Sequence, residues 1–215
     1  MLNQRAWNNC LNEVQEKIAL EPQQFGRGQL YQGHEGWGIL GQRPTLERLR
    51  HYRLAEWLPE QAKVLDIGCN IGLFGLELSP RIKEYYGFDN NPTLIDIARM
   101  LAEARGCKNC KFECTEFVDF FENRAGEKFD VIFSFAVHVW IGMLPNKYSE
   151  FLSGLLNPGG KLILESNRLD TNDKDFFSNS RFFTDTGLAV DLQGTLKDDG
   201  IIERGFYVFS KGPGA

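Results

Sequence analysis

The sequence predicts an α/β fold, in which helices cover both faces of a mostly parallel sheet. Three observations predict it: strand and helix patterns alternate between about residues 63 and 165, a glycine-rich turn follows the first of these strands, and two strand patterns close the chain. A β-α-β-α order places crossover helices between parallel strands and so produces a doubly wound sheet. The 215 residues are enough for one domain with a sizeable core.

Short apolar runs rich in β-branched and aromatic residues predict the strands, and 3.6-residue periodicity predicts the helices. The predicted strands are Val64–Ile67, Tyr85–Phe88, Lys111–Cys114, Val131–Phe135, Lys161–Leu164, Leu188–Leu196 and Glu203–Lys211. The predicted helices are Asn9–Ala19, Thr45–Trp57, Leu73–Leu78, Pro92–Glu103, Phe117–Asn123 and Tyr148–Leu156.

The connecting segments carry recognisable turn signals. Asn157-Pro-Gly-Gly160 is a strong stop between a helix and a strand. Ser166–Arg181 is polar and predicts a loop with a short helix around Asp173–Asn179. Asp198-Asp-Gly200 predicts a hairpin turn between the last two strands.

Composition limits the classes of function. The net charge of −5 argues against a broad nucleic-acid-binding face, so we expect no DNA partner. No apolar run approaches the roughly 20 residues of a membrane span, and we expect no membrane association. The sequence contains five cysteines, and its first residues lack the layout of a signal peptide. Together these observations favour reduced thiols and a cytoplasmic protein.

The first 60 residues precede the sheet and predict a helical extension, residues 1–60, before a ligand-binding domain, residues 61–215. Within the extension, Phe25–Gly41 combines six glycines with aromatic rings. Such a mixture predicts a lid that folds over a ligand, with Tyr31 and Trp37 contacting the substrate. The alternative is a segment that only packs on the edge of the sheet.

The turn after Val64-Leu-Asp-Ile67 is the main candidate for ligand binding. Gly68 and Gly72 allow backbone N–H groups to approach a ligand closely, and a helix N-terminus that follows favours negative charge. Asn70 stands where a dinucleotide-binding G-x-G-x-x-G motif needs its second glycine, which disfavours a pyrophosphate ligand. Asparagine tolerates a positive φ, so the turn itself can form.

An acidic residue ends the second strand. Asp89 follows Asp66 by 23 residues, a spacing that lets one βαβ unit place its carboxylate beside the glycine turn, where it can accept both hydroxyls of a ribose. The alternative is a surface aspartate that caps the helix beginning at Pro92.

Asp66-x-Gly68-x-Asn70-x-Gly72 resembles the first motif of class I S-adenosylmethionine-dependent methyltransferases, with Asn70 in place of the usual glycine. Three further motifs follow in the family's order. The resemblance implies a Rossmann-like, doubly wound sheet of seven strands with an antiparallel final strand. It also implies S-adenosyl-L-methionine as cofactor, cradled by Asp66, Gly68, Asn70 and Gly72, with Asp89 on the ribose.

The resemblance extends to the adenine side and to the fourth motif. It places Asn90 at the adenine edge, Glu116 opposite the adenine amino group and the N–H of Phe117 against a ring nitrogen. The alternative for the last two is a helix start with incidental charge. Phe129–His138 resembles the fourth motif and places Phe135 beside the cofactor.

The acceptor side carries weaker signals. Phe135-Ala-Val-His138 replaces the Asn/Asp-Pro-Pro-aromatic motif of enzymes that methylate exocyclic amines, and no Pro-Cys pair is present for attack on a pyrimidine. His138 follows the strand end where open α/β sheets bind ligands, and it is the candidate general base. A structural, hydrogen-bonding histidine is the alternative.

Four further residues are candidates for substrate contact. Trp140 can form an aromatic wall beside His138. Glu165 and Asn167 follow the fifth strand and face the same crevice. Arg43 could reach the methionine carboxylate of the cofactor or an anionic substrate.

We therefore expect a methyltransferase that moves a methyl group to an oxygen or nitrogen of a small molecule. RNA is the alternative acceptor, and an NAD-dependent oxidoreductase or a catalytically silent cofactor-binding partner are less favoured hypotheses. Cys107, Cys110 and Cys114 offer only three thiolates, whereas structural zinc normally takes four ligands, so we expect free thiols and no metal. No motif indicates an oligomeric state.

Overall fold

A computed structural model describes residues 4–21, 30–124 and 126–213 of the chain. The strands are β1 Leu30–Gly33, β2 Gly41–Pro44, β3 Lys63–Ile67, β4 Glu84–Asp89, β5 Cys110–Cys114, β6 Phe129–Phe135, β7 Leu156–Glu165, β8 Leu188–Leu196 and β9 Arg204–Lys211. The helices are α1 Gln4–Leu20, α2 Thr45–His51, α3 Leu54–Trp57, α4 Leu73–Leu78, α5 Pro92–Arg105, α6 Phe117–Arg124, α7 His138–Ile141, α8 Pro145–Leu155, α9 Phe176–Asn179 and α10 Arg181–Thr184.

The main sheet has seven strands in the order β5-β4-β3-β6-β7-β9-β8. The first five of these are mutually parallel, whereas β9 is antiparallel to both β7 and β8. The predicted doubly wound sheet with an antiparallel final strand is confirmed. Because β3 to β7 are parallel, their carboxyl ends meet at one edge, where such sheets bind ligands.

Alternate residues of the central strands bury apolar side chains on the two faces of the sheet. Val64 belongs to the core beneath α4 and α5, and Leu65 belongs to the core beneath α6 and α8. Burial on both faces explains why these strands are continuous apolar runs in the sequence. Helix α1 packs on α5, and its buried Trp7 and Val14 join the first core. The N-terminal extension therefore shares its core with the sheet.

Two predicted elements differ in detail from the elements that the structure contains. The helix expected over Thr45–Trp57 is interrupted, because Arg53 adopts a left-handed φ of 53° while Tyr52 is turned fully into the interior. The stop expected at residues 157–160 lies within the bounds of β7. Its pairing with β6 is irregular there, and Gly159 has a φ of 78°.

The described part of the glycine- and aromatic-rich segment contains two short strands and a 3₁₀ helix. Residues 25–29 of the expected lid lie outside the described residues. In the remainder, β1 and β2 pair in parallel, with a short 3₁₀ helix, Glu35–Trp37, between them. None of the helices in the described ranges is long and apolar enough to cross a bilayer.

Candidate cofactor and active site

The glycine turn lies at the carboxyl end of β3 and contains three left-handed residues. Gly68, Asn70 and Gly72 have φ values of 69°, 54° and 72°. Asn70 thus adopts the conformation expected of it. A Cβ at Gly72 would lie 2.3 Å from a ring carbon of Phe112, so packing as well as φ requires glycine there.

A side chain of the N-terminal extension holds this turn. The buried Gln32 amide donates to the carbonyl of Cys69 (3.3 Å) and accepts the N–H of Leu73 (3.4 Å). It thereby spans the turn from β3 to α4. No sequence signal marks this contact, because Gln32 lies about 40 residues before the turn in a segment without periodicity.

Asp89 bridges the ends of two neighbouring strand–helix units. Its carboxylate accepts the N–H of Asn70 (3.0 Å) and the N–H of Asn91 (3.1 Å). Burial raises the pKa of Asp89, and these backbone donors oppose the rise. The helix cap is Asn91, which accepts the N–H groups of Thr93 and Leu94. Asp89 is therefore not the cap of α5, and its oxygens retain lone pairs for further donors.

The adenine-side candidates lie one strand further along the same edge. The Asn90 amide donates to the carboxylate of Glu116 (3.2 Å), and both side chains are exposed. Phe117 differs: its ring is buried against Phe88 and Tyr148, so only its backbone is a candidate for ligand contact.

Two buried groups of the turn bear on cofactor fit. Within the described ranges, Asn70 Oδ1 is buried without a hydrogen-bond partner, which is costly unless a ligand or water supplies a donor. Asp66 is buried below the turn and accepts the hydroxyl hydrogen of Tyr85. Burial raises the pKa of Asp66 to about 7. With the free lone pairs of Asp89, these acceptors fit the hydroxyl and ammonium donors of a nucleoside that carries an amino-acid group.

Arg43 lies elsewhere than the sequence predicts. All five of its N–H donors are used within the protein: by Glu165 (two bonds of 2.8 Å), by Asp198 (2.7 and 2.8 Å) and by the hydroxyl of Tyr31 (3.2 Å). It is fully buried. Arg43, Glu165 and Tyr31 therefore join the extension to the sheet in this structure. Arg43 and Glu165 are fully buried and offer no free group for a substrate, whereas Tyr31 is only partly buried and stays a candidate.

We call the surrounding group the Arg43 network; it comprises Arg43, Arg48, Tyr52, Glu165, Asp198 and Arg204. The Tyr52 hydroxyl donates to Glu165, and the Arg48 guanidinium lies 3.6 Å from the same carboxylate. Burial raises the pKa of Glu165, but Arg43 and Arg48 outweigh it and bring that pKa to about 2. The network holds the extension, β7 and the β8–β9 turn together at the carboxyl edge.

Phe135 lies at the border of this network. Its ring stacks on Tyr52, with the centroids 4.9 Å apart, and the Arg48 guanidinium lies 5.0 Å from its centroid. In the part of the chain that the structure describes, Nη1 of Arg48 is buried and has no hydrogen-bond partner. Arg48 therefore retains an unused donor at this edge, and among the same described residues Nε of Arg204 is likewise buried without a partner.

Trp37 is also displaced from its expected role. His34 stacks on its ring at 3.7 Å between centroids, and the Arg105 guanidinium lies 3.5 Å from its centre. Groups this close to the ring centre cover its two faces. Trp37 thus packs the extension against the end of α5 and leaves no ring face for a substrate.

His138 begins α7, just beyond β6, and is tied to a partner that the sequence does not reveal. Its Nε2 lies 3.2 Å from Oδ1 of Asp173. Asp173 also accepts the backbone N–H of Asn167 (2.8 Å). The side-chain amide of Asn167 donates to the carbonyl of Ala136 (3.1 Å). Among the described residues, Nδ1 of His138 is buried without a partner. Asn167 therefore serves the placement of the histidine through Asp173.

Two large apolar side chains that follow His138 closely in the sequence are exposed. Trp140 is 60% exposed on α7, and Leu144, just before α8, is 69% exposed.

The order of the sheet strands, the left-handed glycine turn at β3 and the acidic residue that ends β4 define a class I S-adenosylmethionine-dependent methyltransferase fold. A family model described as a methyltransferase domain matches residues 58–199. The chain belongs to this methyltransferase-domain family, whose members use S-adenosylmethionine.

Solved structures share the fold at low sequence identity. N-methyltransferase NodS from Bradyrhizobium japonicum WM9, solved with S-adenosyl-L-homocysteine, superposes with a TM-score of 0.62 at 18% identity, covering 94% of this chain and 98% of that chain. WbdD superposes with a TM-score of 0.70 at 20% identity, covering 92% of this chain and 46% of that chain.

Two curated relatives match by sequence. Uncharacterized protein RP028 of Rickettsia prowazekii is 32% identical over 114 residues, which are 51% of this chain and 44% of the relative. The biotin biosynthesis bifunctional protein BioHC of Saccharophagus degradans is 31% identical over 120 residues, 53% of this chain and 20% of the relative. The matched region thus spans less than half the length of either relative.

Proposed function

We propose that the protein transfers a methyl group from S-adenosylmethionine to an oxygen or nitrogen of a small molecule. One observation carries the proposal: the Asp89 carboxylate is fixed between the glycine turn and Asn91, and it keeps unused lone pairs at the edge where parallel sheets bind ligands. When bound, the cofactor supplies a methyl group on a sulfonium that is a good leaving group.

The chain's own residues would bind and orient the reactants. Asp89 would accept the ribose hydroxyls, while Asn90 and Glu116 lie together where the adenine edge is expected. Asn70 Oδ1 would receive one of the donors that it lacks within the protein. Such positioning supplies most of the rate enhancement when the leaving group is already activated.

His138 is the proposed general base. With Nε2–H donated to Asp173, the lone pair on Nδ1 is left to accept a proton from the acceptor's hydroxyl or amine. A carboxylate that holds one imidazole nitrogen fixes both the tautomer and the ring orientation. In this proposal Asp173 is a positioning residue and His138 contacts the substrate.

Charge and surface favour a small molecule over RNA. The net charge of −5 opposes a polyanion, and Trp140 and Leu144, exposed on and just after the helix that His138 begins, suit an apolar or aromatic acceptor. We propose a cytoplasmic location because all five cysteines are free thiols. The N-terminal extension would cover the site without opening and closing, because Arg43 bonds it to Glu165 and Asp198.

The choice of cofactor can be tested by binding. We expect S-adenosylhomocysteine to bind in a calorimetric titration with a Kd in the micromolar range, about −8 kcal/mol, and NAD to give no heat at the same concentrations. Binding of NAD without binding of S-adenosylhomocysteine would instead support an oxidoreductase.

The role of His138 can be tested by His138→Gln, which keeps a side chain able to donate to Asp173 but cannot take up the proton. Transfer of a labelled methyl group to the acceptor found in a metabolite and RNA panel should fall about 100-fold or more. The affinity for S-adenosylhomocysteine should stay within about twofold. If the variant transfers the methyl group as fast as the wild type, His138 has only a structural role. If the wild type transfers a methyl group to no acceptor in the panel, the protein is better explained as a catalytically silent, cofactor-binding partner of another protein.

A further inference from the structure

A pair of cysteines lies in a tight turn between α5 and β5. Cys107 follows the helix end, Cys110 begins the strand, and the two residues between them form the turn. The first and fourth residues of such a turn have their Cα atoms within about 7 Å. A disulfide spans Cα separations of about 4.4 to 6.8 Å. The two thiols can therefore join without moving either element far.

The two sulfurs differ in their surroundings. Cys107 Sγ lies 3.2 Å from the hydroxyl of Ser79, whereas the thiol of Cys110 donates to the carbonyl of Gly75. The neighbouring Cys110 lowers the pKa of Cys107 to about 6, and Ser79 and the charge of Arg105 act in the same direction against burial. The neighbouring Cys107 and burial raise the pKa of Cys110. The pair thus combines one thiol that ionises readily with a second that keeps its proton.

The other cysteines lack this combination. Cys69 is fully buried, and burial raises its pKa and that of Cys10. Cys114 is the most accessible of the five, but burial and the charge of Asp89 raise its pKa. Across the described ranges, no cluster of three or more His, Cys, Asp or Glu side chains could hold a metal ion, so the pair is not part of such a site.

We propose that Cys107 and Cys110 are a redox-active pair that exchanges with small-molecule disulfides such as glutathione disulfide. The Cys107 thiolate attacks one sulfur of the glutathione disulfide, and one glutathione thiolate leaves. The Cys110 thiol then loses its proton and attacks Cys107 Sγ, and the second glutathione thiolate leaves. The protein dithiol is oxidised by two electrons, and the small disulfide is reduced to two thiols.

The pair contacts the helix that begins at the glycine turn. The thiol of Cys110 donates to the carbonyl of Gly75 (3.4 Å), in the first turn of α4, and Ser79 ends the same helix. A modification here therefore occurs in contact with an element of the proposed cofactor site. The proposal itself needs neither the cofactor nor the methyl acceptor, so its success or failure is separate from that of the proposed function.

The test treats the reduced, native protein with glutathione disulfide at pH 7, quenches at timed intervals with acid and an alkylating agent, and maps the thiols by peptide mass spectrometry. We expect an intramolecular Cys107–Cys110 disulfide, formed at least about tenfold faster than any modification of the more exposed Cys114. Dithiothreitol should restore both thiols. Faster modification of Cys114, or no Cys107–Cys110 disulfide, would overturn the proposal.

Two variants assign the order of attack. Cys110→Ser should accumulate glutathione on Cys107, because the resolving thiol is missing. Cys107→Ser should leave Cys110 unmodified over the same period. Cys114→Ser is the matched control and should oxidise as the wild type does. Circular dichroism checks that each variant is folded, and the wild-type rates alone decide the proposal if a variant is not.

Discussion

Replacing Asp89 with alanine is expected to weaken the binding of S-adenosylhomocysteine by at least about 100-fold. Hydrogen bonds to a charged group contribute about 1.5–3 kcal/mol each, and a ribose offers two hydroxyl donors. Asp89 also fixes Asn70 through its backbone N–H, so its loss loosens the glycine turn. Isothermal titration calorimetry measures the change directly.

The fold of this variant should survive. Burial raises the pKa of Asp89, so the folded state gains little from holding its charge, and the cap of α5 is Asn91. Asp96→Ala is a matched control, since Asp96 is a half-exposed acid on α5 that pairs with Arg99 three residues further on. If Asp89→Ala binds within about threefold of Asp96→Ala, the ribose site lies elsewhere.

The parts of the molecule that the sequence predicts are those set by local pattern. Strand periodicity and apolar runs locate the seven strands because each strand is buried over a few consecutive residues. The glycine turn and Asp89 are recognisable because one βαβ unit brings them together from nearby positions.

The parts that the sequence does not predict depend on contacts between distant segments. Arg43 meets Glu165 and Asp198, which follow it by 122 and 155 residues, and no local pattern marks a buried ion pair of that separation. Asp173 reaches His138 from a polar loop, where a carboxylate would be assigned to solvent. The sequence places Arg43 at the ligand because an arginine at the boundary of a glycine-rich segment carries no sign of its internal partners.

Replacing Arg43 with methionine is expected to lower the free energy of unfolding by about 3–5 kcal/mol. Methionine keeps an unbranched apolar stem but leaves the buried carboxylates of Glu165 and Asp198 without their main cation, and removal of one partner of a buried pair costs about that much. Urea unfolding at pH 7 measures it. The control, Arg53→Met, removes an exposed arginine paired with Glu56 and should change stability by less than about 0.5 kcal/mol.

Acid should destabilise the wild type more than the Arg43→Met variant. Glu165 has a folded-state pKa of about 2 against an ordinary value of 4.5, so its contribution is fully present above 4.5 and is lost as the pH falls toward 2. Without Arg43, only Arg48 and the Tyr52 hydroxyl oppose the effect of burial on Glu165, so protonation of Glu165 should cost the variant less stability than it costs the wild type. The stability difference between wild type and Arg43→Met should therefore shrink between pH 4.5 and 2.

A second substitution separates unpaired charge from lost packing. Glu165→Gln in the Arg43→Met background removes one of the two stranded carboxylates, so the double variant should recover part of the lost stability, and a double-mutant cycle should show coupling of about 1 kcal/mol or more. Additive effects would mean that Arg43 stabilises the protein through its contacts with Tyr31 and the extension alone. Coupling would mean that ion pairing of Arg43 with Glu165 and Asp198 joins the N-terminal extension to the carboxyl edge of the sheet.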